Sequence, residues 1–250
     1  AAGLAGINLV YPVIMVLIGL AAMIAMGAAT LISFQQGARN TALARQGLVN
    51  GLWLLALLGA LAPLLLHRWH IDILLALGLE QGSDTWQQAS DYLGWIGGGT
   101  LLLAGNLAVP YLLRNDGRPR LAMVLVSGGA LLNILLNYIM VGRLGLGLTG
   151  TAQATLMAEG MVCLLGLGYF FTPYARLRLS WRQLRPSFPA MPNLLFTGLP
   201  SLIAQFNLGL LLMLHNSQLM VHGSVKDLAG FTVAGYTEAV FIVVLQGLAF

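Results

Sequence analysis

The sequence predicts an all-α membrane protein, a polytopic helical bundle of about seven transmembrane helices, and three observations carry that prediction. Of the 250 residues, 58% are hydrophobic and only 8% charged, with a mean hydropathy of +0.83, whereas about a quarter of a soluble domain is charged. A spanning helix takes about 20 mostly apolar residues. That template fits roughly 7–33, 47–66, 92–113, 121–142, 148–171, 194–221 and 228–250. The third observation is where the basic residues fall. Nine of the twelve Lys and Arg sit in alternate gaps: Arg39 and Arg45, then Arg114, Arg118 and Arg120, then Arg176, Arg178, Arg182 and Arg185. Only Arg68, Arg143 and Lys226 remain for the other gaps. Basic residues resist translocation during insertion, so the rich gaps stay in the cytoplasm. The N-terminal end then faces outward, and one preceding helix would account for that.

The same numbers narrow the function classes. The net charge of +4 lies where cytoplasmic headgroups are, each basic residue contributing about 1 kcal/mol of attraction to an anionic leaflet. No nucleic-acid partner is expected. Cys163, the only cysteine, falls inside an apolar run and reads as a buried, inert thiol. His67 and His70 are three residues apart without a third ligand at matching spacing, so they read as solvated, and no metal or other cofactor is expected. His215 and His222 stand two helical turns apart near the outer end of the sixth run. Asn115-Asp116-Gly117 is a turn signal. No nucleophile–base pair and no phosphate-binding loop is found, so an enzyme is not expected.

Along the chain, Pro12 and Pro110 mark kinks or helix ends. Residues 67–91 hold four of the eight acidic residues together with Trp69 and Trp86, which predicts an external loop with a short interfacial helix. Gly94 and Gly98 form a Gly-xxx-Gly pair suited to close helix packing. Gly129, Asn133 and Asn137 share one face of the fourth run, and Glu159 stands midway along the fifth. In RLRLSWRQLR, residues 176–185, a helical reading puts Leu177, Trp181, Leu184 and Phe188 on one face and Arg178, Arg182 and Arg185 on another. That is the pattern of a basic amphipathic helix on the cytoplasmic surface. Pro186, Pro189 and Pro192 then break the chain. The division that follows is 1–175, a linker at 176–192, and 193–250. In the sixth run Gln205, Gly209, Leu212 and Asn216 fall on one helical face, Asn207 is a further amide of the same run, and Glu238 stands near the middle of the last run. Polar groups at membrane depth are costly, so each is a site candidate. The plainer reading is that amides tie helices together at about 0.6 kcal/mol each.

Several stretches in register resemble the multidrug and toxic compound extrusion (MATE) family. They are PVIMVLIGLAAMIAMGAATLISFQQGARNTALARQ (12–46), YLLRNDGRPRLAMVLVSGGALLNILLNYIMV (111–141), LGLTGTAQAT (146–155) and TGLPSLIAQFNLGLLLMLHN (197–216). The resemblance implies twelve helices in two six-helix lobes, of which this chain supplies the second to eighth: five helices of the N-terminal lobe in 1–175 and two of the C-terminal lobe in 193–250. It also implies a multi-pass protein of the bacterial inner membrane, monomeric when complete. Such a protein exports organic, often cationic and amphiphilic compounds in antiport with H⁺ or Na⁺, through a cavity that opens alternately to each side.

On that reading the coupling carboxylate is Glu238, then Glu159, while Gln205, Asn216, Asn207, Asn133 and Asn137 are cavity candidates. The match is not complete. Tyr236 stands where many members keep an Arg, Gln205 and Asn137 stand where some carry Glu or Asp, and Glu159 stands where Gln is commoner. Many members also keep a coupling Asp on the first helix, which precedes this chain. A lipid-linked oligosaccharide or lipid-precursor flippase shares the architecture, but no Arg or Lys lies well inside a run to hold a pyrophosphate. A non-transporting scaffold does not account for two carboxylic acids at mid-membrane.

Overall fold

The computed structural model describes residues 2–79 and 81–222, with residues 2–9, 84, 212, 216, 217 and 219–222 described by their backbone alone. The helices are α1 (Ala2–Gly37), α2 (Thr41–Arg68), α3 (His70–Ala76), α4 (Asp84–Gly98), α5 (Thr100–Asn115), α6 (Pro119–Asn137), α7 (Gly147–Tyr169) and α8 (Met191–His222). A π-helical turn, Tyr138–Arg143, extends α6. No strand occurs among the described residues. The first six predicted runs all fall on helices, and the seventh, 228–250, lies outside the described residues. By length and composition, Val10–Gly37, Thr41–Arg68, Pro119–Arg143 and Phe188–His215 are able to cross a membrane, and the bent pair α4–α5 adds a fifth span if taken as one. Gln153, Glu159 and several glycines make α7 less apolar, and it lies against α4, α5 and α6.

Residues 1–206 form one compact unit and 207–250 a second. In the first, α1 packs on α2, α4 and α5, and α5 on α2, α6 and α7. One buried cluster runs from Ala21 and Ile32 through Leu48, Leu113 and Val162 to Phe170, Leu177 and Leu179. Another gathers Val10, Ile14, Leu74, Ala89, Leu93 and Ile96 under α3 and α4. The start of α8 crosses α1 where Gly27 meets the Leu194 carbonyl and Gly198 the Met23 carbonyl. In the second unit, Leu208, Leu210, Leu211 and Met213 of α8 are exposed, and His215 Nδ1 lies 2.9 Å from the Leu211 carbonyl.

Three expectations need correction. The helix following the external loop begins at Asp84 instead of residue 92, because Ser83 caps it by accepting from the Trp86 N–H at 3.1 Å. Trp86 then packs against the α3–α4 cluster, while Trp69 stays 49% exposed, as an interfacial residue does. Gly94 and Gly98 face open space, and Gly97 and Gly99 make the close approaches, to Leu66 and Leu156. The chain bends by 54° at Gly99. There the Thr100 hydroxyl donates to the Gly97 carbonyl at 2.8 Å and so satisfies a group that the break frees. Pro12 and Pro110 both lie inside helices.

The largest correction concerns 176–185. No amphipathic helix forms. Ala175, Leu177 and Leu179 are buried, Arg176, Arg178 and Ser180 are exposed, and the Leu179 N–H donates to the Phe170 carbonyl at 2.8 Å. Burial thus repeats every two residues, the period of extended chain, and only Trp181–Gln183 forms a 3₁₀ turn. Trp181 and Phe188, assigned above to an apolar face, are 82% and 72% exposed. The segment is a strap across one end of the bundle. Gln46 Nε2 donates to the Arg185 carbonyl (3.2 Å), Trp53 Nε1 to that of Leu184 (2.7 Å) and Asn50 Nδ2 to that of Ser187 (3.2 Å). The Ser187 N–H returns a bond to Asn50 Oδ1 at 2.9 Å. Asn115 Nδ2 donates to the Ala29 carbonyl at 2.7 Å. All three arginine-rich gaps therefore meet at one end of the bundle.

Candidate functional site at membrane depth

Gly129 sets the spacing between α6 and α7, since a Cβ there would come within 2.5 Å of Val162 Cγ2. That close approach brings Asn133 level with Thr155 and Glu159, which lie one turn apart on α7. Asn133 Nδ2 donates to Thr155 Oγ1 at 3.3 Å. Asn137 Nδ2 donates back along its own helix, to the Asn133 carbonyl at 2.9 Å and to Asn133 Oδ1 at 3.2 Å. The result is a chain of polar groups, Asn137 to Asn133 to Thr155, leading to Glu159.

These groups border a cavity of about 310 Å³ lined by Asn106, Gly129, Asn133, Thr155, Glu159 and Val162 among others. Glu159 is half-buried, and its Oε2 is buried without a hydrogen-bond partner among the described residues. An unmet carboxylate oxygen at this depth costs free energy unless a proton or a cation satisfies it. Asn106, Asn133 and Thr155 line the same space, with Asn133 Oδ1 already accepting from Asn137 and Thr155 Oγ1 from Asn133. No Lys or Arg lines it, so the group open to a proton or a small cation is the unpartnered Glu159 oxygen.

The structure joins Asn133 and Glu159 in one place and leaves Asn137 outside the cavity lining as a positioning group. Gln205 is half-buried near Gly19 of α1, and Asn207 is exposed. The side chain of Asn216 and the whole of Glu238 lie outside the described residues. Two residues escaped the sequence reading. Thr155, four residues before Glu159, shares its helical face, a signal the spacing already held. Asn106 was legible only as a lone amide in an apolar run.

Asp116 is a fully buried carboxylate among the described residues, and its partners are all protein groups. It takes the backbone N–H of Arg176 (2.9 Å) and of Leu177 (2.7 Å) and the Tyr169 hydroxyl (2.6 Å). It anchors the strap and is not a site. At the opposite end, His70 Nε2 lies 3.0 Å from Ser90 Oγ, so this histidine has a protein partner instead of water alone. No group of three or more metal-ligating side chains occurs among the described residues.

The family model MatE matches residues 1–139. A probable multidrug resistance protein NorM of Mesorhizobium japonicum is 31% identical over 212 residues, which is 80% of this chain and 43% of that protein. Among solved structures, the inward-facing form of a multidrug resistance MATE family transporter of the MOP superfamily gives a TM-score of 0.84 at 27% identity, covering 97% of this chain and 55% of that one. An outward-facing form of such a transporter gives 0.85 at 27% identity, covering 98% and 54%. The chain thus spans about half the length of the proteins it matches.

Proposed function

The chain belongs to the MatE family, whose members are multi-pass membrane transporters and not enzymes, and from that premise we propose that the complete protein is a secondary active exporter. Its substrates are organic compounds, often cationic and amphiphilic, moved in antiport with H⁺ or Na⁺ by alternating access at a bacterial inner membrane. The likeness to a probable multidrug resistance protein and to a multidrug resistance transporter supports multidrug export. The chain's likeness to both an inward-facing and an outward-facing form of such a transporter supports alternating access.

The observation that carries the coupling assignment is the unpartnered Glu159 Oε2 at the edge of the α5–α6–α7 cavity. Ion entry satisfies this oxygen and changes the charge of the cavity, and Asn133 and Thr155 fix where the ion sits. Coupling requires such a group, because an ion drives a conformational change only by binding the two states unequally. Glu238, ranked first by the sequence, lies outside the described residues and becomes the second coupling carboxylate of this proposal, with Gln205, Asn207 and Asn216 as groups that meet the substrate.

The test is efflux of a fluorescent cationic dye from pump-deficient cells expressing the complete protein. Wild type should export the dye while an ion gradient is held, and Glu159→Gln, matched for expression, should lose gradient-driven export. A Glu159→Gln protein that exports like wild type removes Glu159 from coupling, and Glu238→Gln then tests the remaining carboxylate. Well-expressed wild type that exports none of several dyes overturns the export reading in favour of a lipid-precursor flippase.

A further inference from the structure

Between the N-terminal end of α6 and the C-terminal end of α7 lies an open groove of about 940 Å³ whose two ends differ in chemistry. Leu121, Leu125, Leu164 and Leu165 form its apolar length. Leu164 and Leu165 are 69% and 56% exposed, so this wall is open among the described residues. Arg118 and Arg120 stand at the other end, among the three arginine-rich gaps that the positive-inside rule places in the cytoplasm. The groove lining contains no acidic side chain. Asp116 is close in sequence, but its oxygens already accept from Tyr169, Arg176 and Leu177.

The two arginines are set differently. Arg118 is held in place: Nε donates to the Tyr169 hydroxyl at 3.2 Å and Nη2 to the Tyr174 carbonyl at 3.3 Å. Arg120 is exposed, and no hydrogen bond or ion pair of it is found among the described residues. The first turn of α6 adds to the positive potential here, since its N-cap, Arg118, makes no side-chain cap and the turn contains no acidic residue. Two cations at the membrane edge above a leucine-lined channel match one occupant in both charge and shape.

We propose that this groove is a binding site for an anionic phospholipid of the cytoplasmic leaflet. The phosphate-bearing headgroup meets Arg118 and Arg120, and an acyl chain lies along Leu121, Leu125, Leu164 and Leu165. Basic pockets between transmembrane helices on the cytoplasmic side recognise such headgroups by charge. A soluble anion has no use for the leucine wall, and an uncharged annular lipid has no use for the arginines.

The complete protein, purified in mild detergent, is examined by native mass spectrometry with phosphatidylglycerol or phosphatidylcholine of identical chains. Two variants probe the two ends. Arg120→Gln removes the unengaged cation. Gly168→Leu fills the groove from its floor, where a Cβ meets no protein atom within 4 Å. Wild type should retain phosphatidylglycerol well above phosphatidylcholine. Arg120→Gln should lower that retention about fivefold, the weight of one basic residue near an anionic surface. Gly168→Leu should lower retention of phosphatidylglycerol with the thermal midpoint unchanged. Equal retention of the two lipids by wild type, or unchanged retention in both variants, overturns the site. Displacement of phosphatidylglycerol by millimolar inorganic phosphate alone overturns the lipid and leaves a simple anion site.

Discussion

At Asp116 a whole carboxylate is buried at the end of the bundle where the arginines collect, and its three donors come from 53 to 61 residues further along the chain. Asp116→Asn leaves at least one of these donors facing an NH₂ group, and a buried donor without a partner costs about 1–3 kcal/mol. The thermal midpoint of the complete protein in detergent should fall accordingly. Tyr169→Phe should cost less, because it leaves both backbone donors satisfied. The sequence showed only a turn at 115–117, which is correct. It did not show that the turn carries an anchor, because nothing local announces a partner 60 residues away. Glu159 was legible for the opposite reason: a carboxylic acid in the middle of an apolar run is conspicuous whatever surrounds it. Its cavity was not legible, since Asn106, Asn133 and Thr155 reach it from three helices.

The strap at 176–185 shows what separates a helical from an extended reading of one string. Both patterns place leucines and arginines on opposite faces, so composition does not choose between them. The choice falls on Trp181, buried in a helix and 82% exposed here. Leu179→Ala should therefore cost about 2–5 kcal/mol, as truncation of a core leucine does. Trp181→Ala should cost about 1 kcal/mol, the value of its ring contact with Phe171. Equal losses in a thermal melt would restore the helix. At the α4–α5 break the prediction concerns space. A Cβ at Gly99 would strike Leu156, so Gly99→Ala should destabilise by about 1–3 kcal/mol through overpacking. Gly94→Ala, facing open space, should leave the melt unchanged. Spacing alone could not choose among glycines at 94, 97, 98 and 99, because the choice rests on which face of α4 meets α2 and α7.

At the scale of the whole molecule, the predicted orientation rests on charge. Arg39, Arg114, Arg118 and the strap arginines belong to gaps scattered along the sequence, yet hydrogen bonds donated by Gln46, Trp53 and Arg118 and accepted by Asp116 draw those gaps to one end. With Cys163 replaced by Ala, a membrane-impermeant maleimide should label Asp72→Cys on intact cells and label Arg178→Cys only after permeabilisation. The reverse pattern would invert the topology. Membrane class and helix order were legible because they depend on run length, and the placement of the arginines predicts the orientation that the labelling tests. Helix crossings were not, because they depend on which small residue meets which neighbour.

The span between Asp116 and its backbone partners has a consequence in time. At roughly 5–20 residues per second, the ribosome adds the 60 or so residues from Asp116 to Arg176 and Leu177 in about 3–12 seconds. During that interval the carboxylate waits at the mouth of the insertion machinery, hydrated, while α6 and α7 enter the bilayer. Only after the α6–α7 hairpin is threaded and the strap has emerged are its donors present. The bond that holds the finished bundle end shut is thus absent while the hairpin is being inserted, and it closes behind the hairpin as a latch.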